Sequence, residues 1–307
     1  MPSPNPMVAR EGTIPRSKME VRRATTLKEA LDIMAEGAAE GRPYMPVAGG
    51  TDLMVWITQR SVVPERVIDI WSVDGLRGIE EQEAAICIGA LTSYTEIRAS
   101  EAVCQWLPAL ENAARWCGAA QIQSRGTLGG NIAGGSPAGD ALPVLSAWDA
   151  ELVLISQRGA RVVSFGDFYT GYRQNVLEPD ELIVRIIIPK PADGSLQAFH
   201  KVGTRRAQSI SKVMLGFRGH LGPGGAVADV GISFGSVAPT VLRLHDTEAI
   251  VRGKVLVPDV IDEAATQAAR EVVPIDDVRS SAVYRRRVAS NLVRRYLTQL
   301  SSAHGST

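Results

Sequence analysis

"VAGGTDLMVW" occupies residues 47–56 and "RGTLGGNIAGGSPAGD" residues 125–140. Both crowd glycine beside threonine and aspartate, where an ordinary core would place bulky side chains. Gly49 and Gly50 lack a Cβ, so a ligand can approach the backbone closely and the chain can adopt positive φ. Successive backbone N–H groups in such a turn converge on one anion, and a helix starting there adds its dipole. The second stretch carries six glycines in sixteen residues, Gly129 and Gly130 among them. Two such turns from separate segments can clamp a diphosphate from both sides. Thr51, Thr127, Asn131 and Ser136 can add side-chain hydrogen bonds. Asp140, just past the second turn, either bonds a sugar hydroxyl or caps the helix that follows. The plain alternative is a pair of tight turns joining strands.

Other nucleotide signatures fail. A P-loop needs Gly-x-x-x-x-Gly-Lys-Ser/Thr, and Gly253-Lys254 is followed by Val255. No Gly-x-Gly-x-x-Gly follows a strand, so the ordinary Rossmann fingerprint is absent.

Around the first turn the pattern predicts a β-α-β unit over residues 19–75. Thr26-Leu-Lys-Glu29 reads as a capping box that opens a helix. Leu27, Ala30, Leu31, Met34 and Ala38 recur on one face of that helix. Gly37 and Gly41 read as its stop signals. "YMPVAGG" is a buried strand entering the turn, "LMVWITQR" a helix, and "RVIDI" (66–70) another strand. A second α/β segment is expected over 76–190. "AICIGALTSYTEI" runs from strand into helix, with Thr92 or Ser93 as cap. "VCQWLPALENAARWCGAAQI" (103–122) has a helical pattern with its aromatics in the core. "ALPVLSAWDA" reads as a short helix, and "ELVLIS" and "ELIVRIIIPK" as strands. "PADGS" (191–195) reads as a linker. Within 195–300, "GPGG" joins two β-like runs into a hairpin, and helical spacing follows. A terminal helix should place Val283, Val288, Leu292 and Leu297 inward and its arginines outward.

Composition sets the class. In 307 residues, 45% are apolar and 21% charged, and the 33 basic residues balance the 33 acidic ones. That balance leaves no electrostatic footprint for nucleic acid. No apolar run approaches the roughly 18 residues of a membrane span. Residues 1–18 carry four prolines and no apolar h-region; they read as a disordered tail and not a signal peptide, which gives a cytoplasmic expectation. Cys87, Cys104 and Cys117 form no Cys-x-x-Cys, and the four histidines lack metal-ligand spacing. No metal site and no iron–sulfur cluster, which generally needs four thiolates, is expected on this chain.

The order Ala-Gly-Gly-Thr-Asp-Leu (48–53), Val67-Ile-Asp-Ile70, Ile88-Gly-Ala90 and Gly126-Thr-Leu-Gly-Gly-Asn131 resembles the FAD-binding medium subunits of molybdenum hydroxylases. These include carbon monoxide dehydrogenase-type enzymes and the flavin domain of xanthine dehydrogenase. "RVVSFGDFYTGYRQNVLEPDELI" (161–183) and "KVGTRRAQSISKVM" (201–214) continue the match, which runs from about residue 20 to 290. The resemblance implies an α+β fold: a vanillyl-alcohol-oxidase-type FAD-binding domain of two α/β subdomains, then an α+β C-terminal domain. It assigns Val47, Ala48, Gly49, Gly50, Thr51, Asp52 and Leu53, with Thr127, Gly129, Gly130 and Asn131, to FAD. Ser136 joins that set through its hydroxyl. Asp140 comes close to the cofactor. Leu182 matches a position near the isoalloxazine ring, and Lys201 one at the ring's polar edge, although Lys201 also reads as an ordinary strand lysine. Gln123 and Ser124 stand where Arg-Asn is common in the family, so no charged contact carries over there. The resemblance further implies a large molybdopterin-binding subunit and a small [2Fe–2S] subunit as partners. It leaves NAD, quinone, cytochrome or oxygen as the external acceptor, and no catalytic residue on this chain. The alternative is a stand-alone FAD-dependent reductase of the same fold, for which Ser236, Tyr169 or Glu181 would have to supply the acid.

Overall fold

The computed structural model describes residues 19–59, 61, 64–205 and 208–304; the tail expected over 1–18 lies outside the described residues. Its first unit contains β1 (Glu20–Arg23), α1 (Leu27–Ala39), β2 (Met45–Val47), α2 (Leu53–Thr58) and β3 (Arg66–Asp69). The three strands form a parallel sheet in the order β1-β3-β2. Half of the expected capping box forms at the start of α1: the Thr26 hydroxyl accepts from the Glu29 amide, but the Glu29 carboxylate reaches one residue further back, to the Thr25 amide. Gly37 does not stop this helix. It lies inside α1 and is buried, because a Cβ there would come within 2.7 Å of the Tyr44 ring. The chain leaves the helix at Gly41, in the left-handed region at φ +67°, which glycine reaches without strain.

The second unit begins with β4 (Ile79–Glu81), β5 (Ala85–Gly89), α3 (Tyr94–Ala99), α4 (Glu101–Trp106), α5 (Pro108–Trp116) and α6 (Ala120–Arg125). It continues through α7 (Leu128–Gly134), α8 (Leu142–Ala147), β6 (Glu151–Ser156), β7 (Gly159–Ser164) and α9 (Phe165–Phe168). β8 (Tyr169–Gly171), β9 (Gln174–Asn175) and β10 (Leu182–Pro189) complete it. Its five-stranded sheet, ordered β4-β5-β10-β6-β7, is antiparallel at every pairing. Ser93 is the cap chosen for α3, in a full capping box with Glu96. The single helical run expected over 103–122 is broken twice. Pro108 has no N–H to continue a helix and instead starts α5 at its first position. At the other end Gly118 turns at φ +61°.

The third unit is a four-stranded antiparallel sheet, β11 (Leu196–Val202), β12 (Val213–Leu221), β13 (Val227–Gly235) and β14 (Leu242–Arg243). It is covered by α10 (His245–Val251), α11 (Pro258–Glu271) and α12 (Ala282–His304). β12 and β13 form the hairpin read from the sequence, with residues 222–225 as its turn. α8 of the second unit lies against this hairpin because Gly216 and Gly231 have no side chains. A Cβ on either would strike the Pro143 or Ala147 carbonyl. In α12 the inward stripe is Ala289, Leu292, Val293, Tyr296, Leu297 and Leu300, with Val288 half-buried. Val283 is 75% exposed, because that stripe begins at Arg285. This buried arginine donates to the Ser236 carbonyl and pairs with Asp277. Among the described residues no helix is long and apolar enough to cross a membrane.

Candidate functional site

β2 delivers the first glycine turn. Beyond Val47 the chain bends at Gly50, φ +73°, and α2 starts with Met54 donating to the Gly50 carbonyl. The amides of Gly49, Gly50 and Thr51 find no acceptor among the described residues. Unpaired amides in one turn are the donors an anion requires. Gly49 has a second task. A Cβ on it would run into the carbonyl of Arg125, so the two glycine stretches, 76 positions apart in the chain, touch backbone to backbone.

The second turn is wired differently. Thr127 is the N-cap of α7, its hydroxyl accepting from the Gly130 amide at 3.1 Å. Leu128 donates to the Thr92 carbonyl, Gly129 to that of Ala90 and Asn131 to that of Thr127. The amides expected to reach a diphosphate from this side are thus already bonded within the protein. Gly129 serves packing: a Cβ on it would come within 2.6 Å of the Ala90 Cβ. The turn's contribution to a ligand comes from side chains and from its shape.

Between the first and second units lies a cavity of about 1120 Å³. Its walls bring together Val47, Ala48, Gly49, Gly50, Thr51, Asp52, Leu53, Thr127, Gly129, Gly130, Asn131 and Leu182. Burial pushes the Asp52 pKa above the usual carboxylate value, against the opposing pull of Arg173. Ser136, Asp140 and Lys201 stand outside the walls. The Ser136 hydroxyl accepts from the Ala138 amide in its own turn. Asp140 does not cap α8, which has no side-chain cap. It pairs instead with Lys201, the ammonium lying 2.7 and 2.9 Å from its two oxygens, both side chains buried. Burial raises the Asp140 pKa to about 6 despite that cation.

Arg161 and Tyr94 line the cavity although neither was singled out in the sequence, and Glu181 lines it in a role other than the acid considered there. Arg161 and Glu181 face the cavity as a bidentate pair at 2.7 and 2.6 Å. Burial alone would raise the Glu181 pKa, but Arg161 and the Glu178 amide hold it below the usual carboxylate value. Glu181 is therefore committed as a structural anion. The other acids considered for a stand-alone reductase are also engaged: Tyr169 donates to the Ile132 carbonyl, and Ser236 bonds Ser211. Gln123 is buried and donates to the Arg115 carbonyl. Tyr94 also lines the cavity, completely buried. Its aromatic signature was absorbed by the helix pattern around it, and no local motif marks it.

The description "FAD binding domain in molybdopterin dehydrogenase" matches residues 17–191, and "CO dehydrogenase flavoprotein C-terminal domain" matches 198–300. The chain is 31% identical to the nicotinate dehydrogenase FAD-subunit of Eubacterium barkeri, covering 85% of this chain and 88% of that one. It is 32% identical to the carbon monoxide dehydrogenase medium chain of Hydrogenophaga pseudoflava, over 82% and 87%. The solved structure of the carbon monoxide dehydrogenase of that organism, in a form lacking the Mo-pyranopterin moiety, superimposes with a TM-score of 0.88 at 30% identity. That match covers 95% of this chain and 99% of the other. Two glycine turns joined over a dinucleotide-sized cavity, and likeness over nearly the whole chain, lead to one conclusion: the protein belongs to the FAD-binding subunits of the molybdenum hydroxylase family, and is an oxidoreductase flavin subunit.

Proposed function

We propose that this chain is the electron-transfer subunit of a heteromeric molybdenum hydroxylase. It would receive electrons from [2Fe–2S] clusters on a small partner subunit and deliver them to an external acceptor, the substrate being hydroxylated on a large molybdopterin-binding partner. The observation that carries this reading is the contact of Gly49 with the Arg125 carbonyl, which closes two glycine turns over one cavity. Bound FAD supplies a carrier that exchanges electrons singly or in pairs. The amides of Gly49, Gly50 and Thr51 would hold its diphosphate, Thr51 and Asn131 would add side-chain bonds, and Leu182 would cover an apolar face. The Asp140–Lys201 pair would act from behind the wall, fixing the floor instead of touching the cofactor. Three cysteines are too few for two clusters, which call for roughly eight ligands, so the clusters fall to another subunit.

The full chain should purify with about one FAD per polypeptide. Its flavin absorbance should bleach on substrate addition only when both partner subunits are present. A colourless chain with no affinity for FAD would remove the proposal. So would full turnover by the chain alone, which would instead support a stand-alone reductase.

A further inference from the structure

We propose that Trp71 is a positioning residue of the cofactor site: with the guanidinium groups of Arg77 and Arg125 packed on its ring, it holds the Arg125 carbonyl against Gly49 and keeps the first glycine turn closed on the second. The inference rests on the reading of the cavity as the FAD site and names what fixes the contact on which that reading depends.

Trp71 lies two residues past β3, and its backbone is tied to the first unit. Its neighbour Ile70 donates its amide at 3.0 Å to the carbonyl of Val47, the last residue of β2 before the first glycine turn. The Trp71 amide itself donates at 3.0 Å to the Asp69 carboxylate, which also pairs with Arg23. The ring reaches the second unit. The Arg125 guanidinium carbon lies 3.7 Å from the ring centre and that of Arg77 4.4 Å, both within cation–π range. Among the described residues the ring is the only partner of the Arg125 guanidinium, which makes no hydrogen bond and no ion pair there. Arg77 is anchored in turn. It donates at 2.9 Å to Glu96, the carboxylate that completes the Ser93 capping box, and Ser93 bridges to Thr127 of the second turn.

Arg125 ends α6, and its carbonyl is the atom that leaves Gly49 no room for a Cβ. Among the described residues no hydrogen bond or ion pair ties residues 120–126 to the first unit. The stack on Trp71 therefore supplies the directional attraction across this seam. It acts on the same residue whose carbonyl packs on the turn. A planar guanidinium lying on an indole fixes the distance and the tilt of the residue that bears it. Without the ring, the exposed Arg125 turns to solvent and the end of α6 is free to shift. The amides of Gly49 to Thr51 then lose the backing that aims them at a diphosphate.

The test measures affinity for FAD and for ADP, which carries the diphosphate, by calorimetry on the full chain, together with the thermal midpoint without cofactor. Trp71→Leu should weaken both ligands about five- to tenfold, and Trp71→Phe, which keeps an aromatic face, should recover most of that loss. Arg125→Gln, at an exposed site, should fold as the parent does and show a loss similar to that of Trp71→Leu. The double variant should bind no more weakly than the worse of the two single ones, because the two side chains act as one contact. Losses that multiplied would overturn the proposal. So would a Trp71→Leu chain that melted lower yet bound FAD as tightly as the parent, since the stack would then serve stability alone. A loss for FAD with none for ADP would also overturn it by placing the effect away from the diphosphate. If the parent chain itself had no affinity for FAD, the reading of the site would fall first.

Discussion

The two glycine turns look alike as sequence and differ as structure. In the turn at 48–52, glycine supplies a positive φ and a close backbone approach, and the amides of Gly49 to Thr51 stay open. In the turn at 126–131, glycine admits neighbouring side chains, and the amides of residues 128–131 are bonded to Thr92, Ala90 and Thr127. One turn presents donors to the cavity; the other is a pinned wall. Composition alone assigns both the same role. Only the hydrogen-bond partners separate them.

The largest effect should come from Gly49→Ala. Its Cβ has nowhere to go, because the atom in its way is the Arg125 backbone and not a flexible side chain. The turns must part, the cradle opens, and FAD affinity should fall at least a hundredfold, about 3 kcal/mol. Flavin content after gel filtration checks this. A variant that retained its full complement would show that contact between the turns is not needed.

Second in size is a pH effect just past the second turn. Burial raises the Asp140 pKa from 3.8 to about 6. An acid whose folded pKa is raised stabilises the fold below its unfolded pKa, and that stabilisation is lost as pH rises through the folded pKa. Relative to Asp140→Asn, the parent should therefore lose about 2 kcal/mol of unfolding free energy between pH 4 and pH 6. Denaturant titrations across that range read the difference directly. A difference that grew with pH would mean that Lys201 dominates and holds the carboxylate charged.

Gly129→Ala sharpens the contrast between the turns. Its Cβ would press on the Ala90 side chain and carbonyl, so the expected loss is about 1–3 kcal/mol of stability. FAD affinity of the folded fraction should stay within about threefold of the parent. At Gly49 the order of the two effects is reversed. If Gly129→Ala instead left stability untouched and abolished binding, the second turn would be a donor turn after all.

What the sequence made legible follows from how local each feature is. The Thr26 cap, the hairpin turn at 222–225 and a strand feeding Gly49 are encoded within a few residues and formed. Yet Glu29 returns to Thr25 and not to Thr26, and the strand is a three-residue, partly exposed edge strand where a buried one was read. The break at Pro108 was equally local and was lost to an apolar periodicity that runs through it. Gly37 misled because its task is to make room for the ring of Tyr44, only seven residues on, and a need for space inside a helix looks in sequence like a helix stop. Lys201 and Asp140 are 61 positions apart. Their placement near the ring came by resemblance, while the folded chain sets them behind the wall as a pair. Ser136 was grouped with the site for its hydroxyl, which accepts from the Ala138 amide of its own turn.

The smallest effect is the most discriminating. Thr127→Ala deletes the cap of α7, worth about 1 kcal/mol of stability, and releases the Gly130 amide that the hydroxyl now occupies. Thr127 and Gly130 both line the cavity, so the freed amide gains access to whatever the cavity holds. Stability should therefore drop by the value of a cap, while affinity changes by less than about threefold. Thr127→Ser keeps the oxygen and should restore stability without altering affinity. Calorimetric melting and FAD titration of the pair separate the two quantities. If alanine cost more in affinity than in stability, and serine restored affinity, the Thr127 hydroxyl would be a ligand contact first and a helix cap second. The two turns would then share the cofactor evenly.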